Sequence, residues 1–206
     1  MDSENIFLAL KNIKKTIDLN KDEIEKLDQA IGDGDHIFNI QRGLNEALKL
    51  EHELSNLSPE EVFKKIGMKI MTTVGGSSGA LFATLLMGMS KKYSKESNDL
   101  ENLAAMFYEG VEATKKRGKA DIGEKTMLDV LIPVSLSLTE LKNEKNIQTV
   151  AEKIKMVAEE GMLSTKDIIA TKGRASFLGE RAIGHIDPGA RSSQLAINAI
   201  CDEYIK

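Results

Sequence analysis

Three aspartates crowd into one short segment of the chain. Asp28, Asp33 and Asp35 lie within eight residues, and Gly32 and Gly34 interrupt them. Because glycines let the backbone turn sharply, a helix end that carries Asp28 can fold back beside the other two carboxylates. Converging carboxylates repel one another unless a cation compensates them, and oxygen ligands suit the hard cations magnesium and calcium. The segment therefore predicts a divalent-metal site.

The same aspartates could belong to a calcium loop or to a purely structural turn. The calcium loop of an EF-hand is excluded, because it needs a different aspartate spacing and a glutamate at its twelfth position. The structural turn stays open, namely a helix C-terminus followed by an aspartate-rich turn. Asp28 and His36 flank the Gly-Asp-Gly-Asp core, and they favour the metal site over that turn.

A glycine-serine turn follows in the segment Val74–Gly79, directly before the apolar run Ala80–Met89. Glycines that lead into a helix present free backbone N–H groups with the positive end of the helix dipole behind them, which suits phosphate. No Gly-Lys-Ser/Thr follows, so the turn is not a P-loop. A glycine-rich helix cap or a close helix crossing remains an alternative.

The segment Gly173–Ala190 contains four glycines, two arginines and a histidine, and it has no helical stripe. It predicts a long irregular loop, and such loops inside compact domains are usually functional. The planar guanidinium of Arg174 or Arg181 suits bidentate contact with phosphate oxygens. Either arginine could instead pair with Glu180 or another carboxylate.

The elements that must position these segments are predicted to be helices. Apolar residues at helical spacing and cap patterns recur along the chain, and they indicate about eight helices with short connections. This pattern favours an all-α, up-and-down bundle or barrel, taken as one domain over residues 1–206. The expected N-terminal caps are Asn20 with Glu23, Ser58 with Glu61, Asn98 with Glu101, Asp121 with Glu124, and Asp187 before Pro188.

Composition narrows the function classes. The 206 residues are 41% hydrophobic and 29% charged with a net charge of −4, so no nucleic-acid partner is expected. No apolar run reaches the roughly 20 residues of a membrane span, and the first residues do not form a signal peptide. We therefore expect a cytoplasmic protein that does not bind membranes. Cys201 is expected to be a small buried hydrophobic residue.

Together these segments resemble the nucleotide-binding L subunit of dihydroxyacetone kinases. The resemblance rests on the string Ile31–His36, the Gly75–Gly79 turn, two short strings in the middle of the chain, and the Gly173–Ala190 loop. The middle strings are Arg117–Ala120 and Gly123–Met127. The resemblance implies a barrel of eight antiparallel helices with the nucleotide at one end, which agrees with the helix count above.

The resemblance also implies roles for individual residues. Asp28, Asp33 and Asp35 would bind two magnesium ions that bridge the phosphates of ADP or ATP. No residue is assigned as an acid–base catalyst. The implied nucleotide-binding residues are His36 and Asn39 beside the phosphates, Ser77 and Ser78 in the glycine turn, Gly118 and Met127 along adenine and ribose, and Arg174, Asp187, Pro188 and Gly189 closing over the nucleotide.

The implied activity is that of a phosphotransferase subunit. A separate K subunit would hold dihydroxyacetone, and the phosphocarrier M subunit of a sugar phosphotransferase system would rephosphorylate bound ADP. The chain alone is then expected not to turn over dihydroxyacetone. The alternatives are a regulatory nucleotide-sensing module that docks to a transcription regulator or another kinase, the L subunit of a kinase for another short ketose, or a helical bundle that only binds metal.

One position departs from the family pattern. The family usually has glycine after the histidine, where this chain has Ile37. If that position required a positive φ, a β-branched residue would be strained there. The fine geometry beside the phosphates is therefore expected to differ.

Overall fold

The computed structural model describes residues 1–205, and within them it contains α-helices, short 3-10 helices and no strand. The prediction of an all-α fold is confirmed. The α-helices are α1 Ser3–Leu19, α2 Lys21–Ile31, α3 His36–Leu48, α4 Glu51–Leu54, α5 Pro59–Thr73, α6 Gly76–Met89, α7 Asp99–Gly118, α8 Leu128–Leu141, α9 Ile147–Ser164 and α10 Pro188–Cys201. The 3-10 helices are Ser90–Lys92, Thr165–Asp167 and Arg174–Ala182.

Eight of these helices form a closed ring. In the order α1, α3, α5, α6, α7, α8, α9 and α10, each helix packs against the next, and α10 packs back against α1. Short connections make consecutive helices antiparallel neighbours, so the predicted eight-helix barrel is confirmed. Helix α2 lies outside the ring and packs against α3, α10 and the Arg174–Ala182 segment. Over residues 1–205, no helix combines the length and apolarity needed to cross a bilayer.

Several predicted helix starts are confirmed. Ser58 and Glu61 form a capping box at α5, and Asn98 forms the same arrangement at α7 with Glu101. The Asp187 side chain accepts a hydrogen bond from the Ala190 N–H at the start of α10. Such caps satisfy backbone donors that a helix cannot pair internally. Cys201 is buried as expected, and burial raises the pKa of its thiol to about 12.

Other predicted boundaries are wrong. The Asn20 side chain does not cap α2 but donates to the Thr16 carbonyl at the end of α1. Helix α8 begins at Leu128, so Asp121 and Glu124 belong to the preceding loop, where Glu124 accepts from the Asp121 N–H. Short polar side chains bind several nearby backbone groups equally well, so the cap pattern alone does not fix which one they choose.

The Gly173–Ala190 segment is more ordered than predicted. Residues Arg174–Ala182 form two 3-10 turns joined at Gly179, and α10 already begins at Pro188. Ala175 and Ala182 are buried against Ile31 at the end of α2. Small side chains let this segment pack closely on α2, which carries part of the aspartate cluster.

Ile37 is not strained. It lies in the first turn of α3 and has no positive φ. Its side chain is fully buried with Ile17, Ile24 and Leu195, which belong to α1, α2 and α10. A helical backbone accepts a β-branched residue at small cost, so here the side chain anchors the N-terminus of α3 instead of distorting it.

Replacing Ile37 with glycine should therefore destabilise the protein. We expect Ile37→Gly to lower the free energy of unfolding by about 3–5 kcal/mol, because a buried side chain is lost and a helical glycine is added. The neighbouring Phe38 is half exposed, so Phe38→Gly should lower it by only about 1–2 kcal/mol. Urea unfolding followed by circular dichroism measures both variants. Equal losses would contradict this role of Ile37.

Candidate functional site

The three aspartates converge in space. Asp28 lies in the last turn of α2, Asp33 lies in the following turn, and Asp35 immediately precedes α3. One carboxylate oxygen from each lies within 4.8 Å of the other two. Asp28 is buried, whereas Asp33 and Asp35 are exposed. One fixed ligand and two exposed carboxylates suit a hard divalent cation with water in its coordination shell.

Gly32 makes this convergence possible. The Gly32 N–H donates to the Asp28 carbonyl and ends α2. A Cβ added at Gly32 would lie 1.9 Å from Asp28 Oδ1, which is far inside van der Waals contact. Any side chain at this position would force the Asp28 carboxylate out of its present position beside Asp33 and Asp35.

His36 joins the aspartates to α10. Its backbone N–H donates to Asp28 Oδ2 over 3.0 Å, so the first turn of α3 holds that carboxylate. Its ring Nε2 lies 3.0 Å from Ser192 Oγ in α10. Burial lowers the pKa of His36, against the opposing effect of the Asp28 charge. The lowered pKa favours the neutral ring, in which Nε2 either donates or accepts according to the tautomer.

Arg174 also reaches the aspartates. Its Nε lies 2.9 Å from Asp33 Oδ2, and both side chains are largely exposed. An exposed pair of this kind contributes little to stability. The contact nonetheless places a guanidinium beside the carboxylates, where it can exchange Asp33 for a more highly charged anion.

The aspartates border a cavity of about 420 Å³. Its wall comes from segments far apart in the sequence, namely the α2–α3 turn, the start of α6, the α7–α8 loop and the entry to α10. The sequence-predicted site residues that line it are Asp28, Asp33, Asp35, His36, Ser77, Ser78, Gly118, Met127, Arg174, Asp187, Pro188 and Gly189.

Asn39 is the predicted site residue that does not line the cavity. It is buried in α3, and its Nδ2 has no hydrogen-bond partner. A Cβ added at Gly76 would lie 3.0 Å from this Nδ2 and 3.6 Å from Asp35 Oδ2. Gly76 has a φ of 76°, a conformation that glycine adopts readily. The Asn39 side chain therefore lies beside the glycine turn and Asp35.

At the entry to α10, Asp187 both caps the helix and borders the cavity. Its carboxylate accepts the Ala190 N–H over 2.8 Å. Enclosure of the carboxyl group raises its pKa to about 7, although backbone donors and the Lys125 charge oppose the rise. Part of the residue still borders the cavity, so its charge depends on what occupies the cavity near neutral pH.

Sequence reasoning missed the residues that organise the α7–α8 loop. Asp129 is buried and accepts the N–H groups of Gly123 and Thr126 over 2.6 and 2.7 Å. Lys125 is buried within the same loop and also lines the cavity. Lys125 belongs to the Gly123–Met127 string of the resemblance, but the string does not indicate which distant groups the Lys125 or Asp129 side chain contacts.

The structure thus describes an all-helical ring that carries a candidate metal site, formed by the aspartate cluster, at the edge of a cavity. The chain matches the family described as the DAK2 domain over residues 30–202. This match covers most of the 206 residues, and the chain belongs to that family.

Individual relatives narrow the comparison. The chain is 43% identical to "PEP-dependent dihydroxyacetone kinase 1, ADP-binding subunit DhaL" of Listeria innocua, over 93% of this chain and 91% of the relative. It is 44% identical to the "PTS-dependent dihydroxyacetone kinase, ADP-binding subunit DhaL" of Lactococcus lactis, over 89% and 88%. The corresponding Escherichia coli subunit is 39% identical, over 81% of this chain and 80% of that subunit.

A solved structure has the same fold. The dihydroxyacetone kinase from C. freundii, in complex with AMP-PNP and Mg²⁺, superposes with a TM-score of 0.71 and 27% identity. The match covers 95% of this chain but 33% of that longer protein. The chain thus spans about a third of the longer kinase and nearly the whole length of the separate subunits.

The role of Gly32 can be tested by metal binding. We expect Gly32→Ala to weaken Mn²⁺ binding by about tenfold or more, because the new Cβ displaces the Asp28 carboxylate from the other ligands. Gly75→Ala is the matched control, since Gly75 has a negative φ and open space around an added Cβ. Electron paramagnetic resonance titration of free Mn²⁺ measures both. Equal Mn²⁺ affinity in the two variants would contradict this role.

Proposed function

We propose that this chain is the nucleotide-holding subunit of a cytoplasmic, phosphoenolpyruvate-dependent dihydroxyacetone kinase. The observation that supports it most strongly is the aspartate cluster, with oxygens within 4.8 Å, at the edge of the cavity. Nine of the ten predicted nucleotide-binding residues line that cavity, Asn39 being the exception. Relatives of similar length are named as ADP-binding kinase subunits.

The aspartates fit magnesium by their chemistry. Asp28, Asp33 and Asp35 would hold two magnesium ions, whose charge of about +4 would offset that of a bound triphosphate, about −4. The chain itself contributes positioning. His36 fixes Asp28 through its backbone N–H, while Arg174 is near enough to Asp33 to move onto a phosphate oxygen.

The other walls of the cavity would bind different parts of the nucleotide. Ser77 and Ser78 stand at the N-terminus of α6, where hydroxyl and backbone donors favour phosphate. Met127 and Gly118 would contact adenine and ribose, and the Asp187–Gly189 turn would close one side. Because phosphoryl transfer depends mainly on positioning and charge compensation, no side chain needs to act as a general base in this chain.

The chain would act with two partners. A dihydroxyacetone-binding K subunit would present the acceptor hydroxyl, and a phosphocarrier M subunit of a sugar phosphotransferase system would restore ATP from ADP held in place. Relatives named as kinase subunits support this function over a regulatory module. The dihydroxyacetone specificity would then belong to the partner rather than to this chain.

Reconstitution tests this proposal. The isolated chain with ATP and dihydroxyacetone should give no product, because the K subunit would hold the acceptor. Adding the K and M subunits with phosphoenolpyruvate and its phosphotransferases should give steady dihydroxyacetone phosphate formation, measured by coupled reduction with NADH.

A variant of one aspartate tests whether the reconstituted rate depends on the metal site. Asp33→Asn should reduce the reconstituted rate by about 100-fold or more, since one metal ligand loses its charge. Turnover by the isolated chain, or an unchanged rate with Asp33→Asn, would contradict the proposal. Activity with a different short ketose alone would support the alternative substrate.

A further inference from the structure

Lys125 is a buried lysine whose ammonium group pairs with no carboxylate at ion-pair distance within the described residues. It is 1% exposed, and its φ is 60°. A positive φ is uncommon for a residue with a side chain and persists when the surroundings hold it in place. Both features indicate that this side chain has a specific task in the fold.

The ammonium group is bound by backbone carbonyls from two other segments. Nζ donates to the carbonyl of Thr165, to that of His185 over 2.6 Å, and more weakly to that of Lys166 over 3.4 Å. A lysine ammonium has three donors, so these carbonyls use its full capacity. Lys125 thereby ties the α7–α8 loop to the turn after α9 and to the entry of α10.

The tied segments also bind one another. The Gly184 N–H donates to the Lys166 carbonyl over 2.8 Å, and the Asp187 N–H donates to Thr165 Oγ1 over 3.0 Å. The three segments are thus joined by several hydrogen bonds, and the Lys125 ammonium group is the only charged donor among them. Hydrogen bonds that involve a charged group are the stronger kind.

These bonds lie at one wall of the cavity, which Lys125 itself borders. Lys125 precedes Met127 by two residues, and His185 precedes Asp187 by two residues. A Cβ added at Gly189 would lie 3.5 Å from both the Cβ and the backbone nitrogen of Met127. The position of Lys125 therefore sets the separation between the Met127 loop and the Asp187–Gly189 turn.

The hydrogen bonds of Lys125 go to segments other than the one that carries the aspartate cluster. The carboxylates that raise the pKa of its ammonium, against the lowering caused by burial, are Asp187, Asp167 and Asp129. None of them is one of the three clustered aspartates. A change at Lys125 should therefore disturb one end of the cavity and leave the metal end intact.

We propose that Lys125 is a positioning residue that shapes the part of the cavity for the nucleoside of a nucleoside diphosphate, as distinct from its phosphates. This inference rests on the proposed function, because it assigns Met127 to the nucleoside and the aspartates to the metal-bound phosphates. Lys125 acts through Met127 and the Asp187–Gly189 turn. Its contribution is thus selective for ligands that carry a base and ribose.

Isothermal titration calorimetry with excess magnesium tests the inference with two ligands, ADP and inorganic diphosphate. Lys125→Gln should weaken ADP binding by about tenfold, equivalent to the loss of one or two well-placed contacts. Diphosphate binding should stay unchanged, because it depends on the metal end alone. A general loss of folding would not produce this selectivity.

Lys119→Gln is the matched control. Lys119 lies on the same loop, also has a positive φ, and is exposed, so both affinities should match those of the unmodified chain. If Lys125→Gln does not fold, Lys125→Arg replaces it in the test. Arginine keeps the charge but is too large for the space between the carbonyls that bind the ammonium group, so the same selective loss of ADP affinity is expected.

The outcomes separate the two proposals. Equal weakening of ADP and diphosphate by the Lys125 variants, or undiminished ADP binding, overturns the role of Lys125 while the proposed function stands. Failure of the unmodified chain to bind ADP in the presence of magnesium overturns the proposed function, and the role of Lys125 with it.

Discussion

Carboxylates held within 4.8 Å of one another repel, and the protein must compensate that repulsion or leave it for a ligand to compensate. The compensation within the described chain is partial. The His36 N–H binds Asp28, and Arg174 pairs with Asp33 at the surface. This partial compensation supports the proposal that divalent cations complete the site and that phosphates serve as their further oxygen ligands.

The packing of the helices holds the three carboxylates close together despite their repulsion. Gly32 gives the Asp28 carboxylate room, and Ile37 fastens the start of α3 to α1, α2 and α10. The opposite wall of the cavity is built from loops that have little regular structure. Buried polar groups, Asp129 and Lys125, hold those loops by binding backbone donors and acceptors that would otherwise be unsatisfied.

What the sequence could predict follows from the range of the interactions. The aspartates are close in the chain, so spacing and glycines were enough, and capping boxes such as Ser58 with Glu61 are equally local. Asn20 and Asp121 failed as caps because their side chains bind the Thr16 carbonyl and Lys115 instead. The role of Lys125 was beyond prediction, since its carbonyl partners lie 40 to 60 residues away.

Native mass spectrometry of the purified chain, before and after magnesium chelation, measures whether the chain holds a nucleotide through bound metal. We expect a complex of one chain with ADP and two magnesium ions, and loss of both ADP and metal together after chelation. Asp28→Asn should prevent loading under the same conditions. A chain that cannot be loaded with ADP and magnesium, or that keeps ADP after complete removal of the metal, would contradict it.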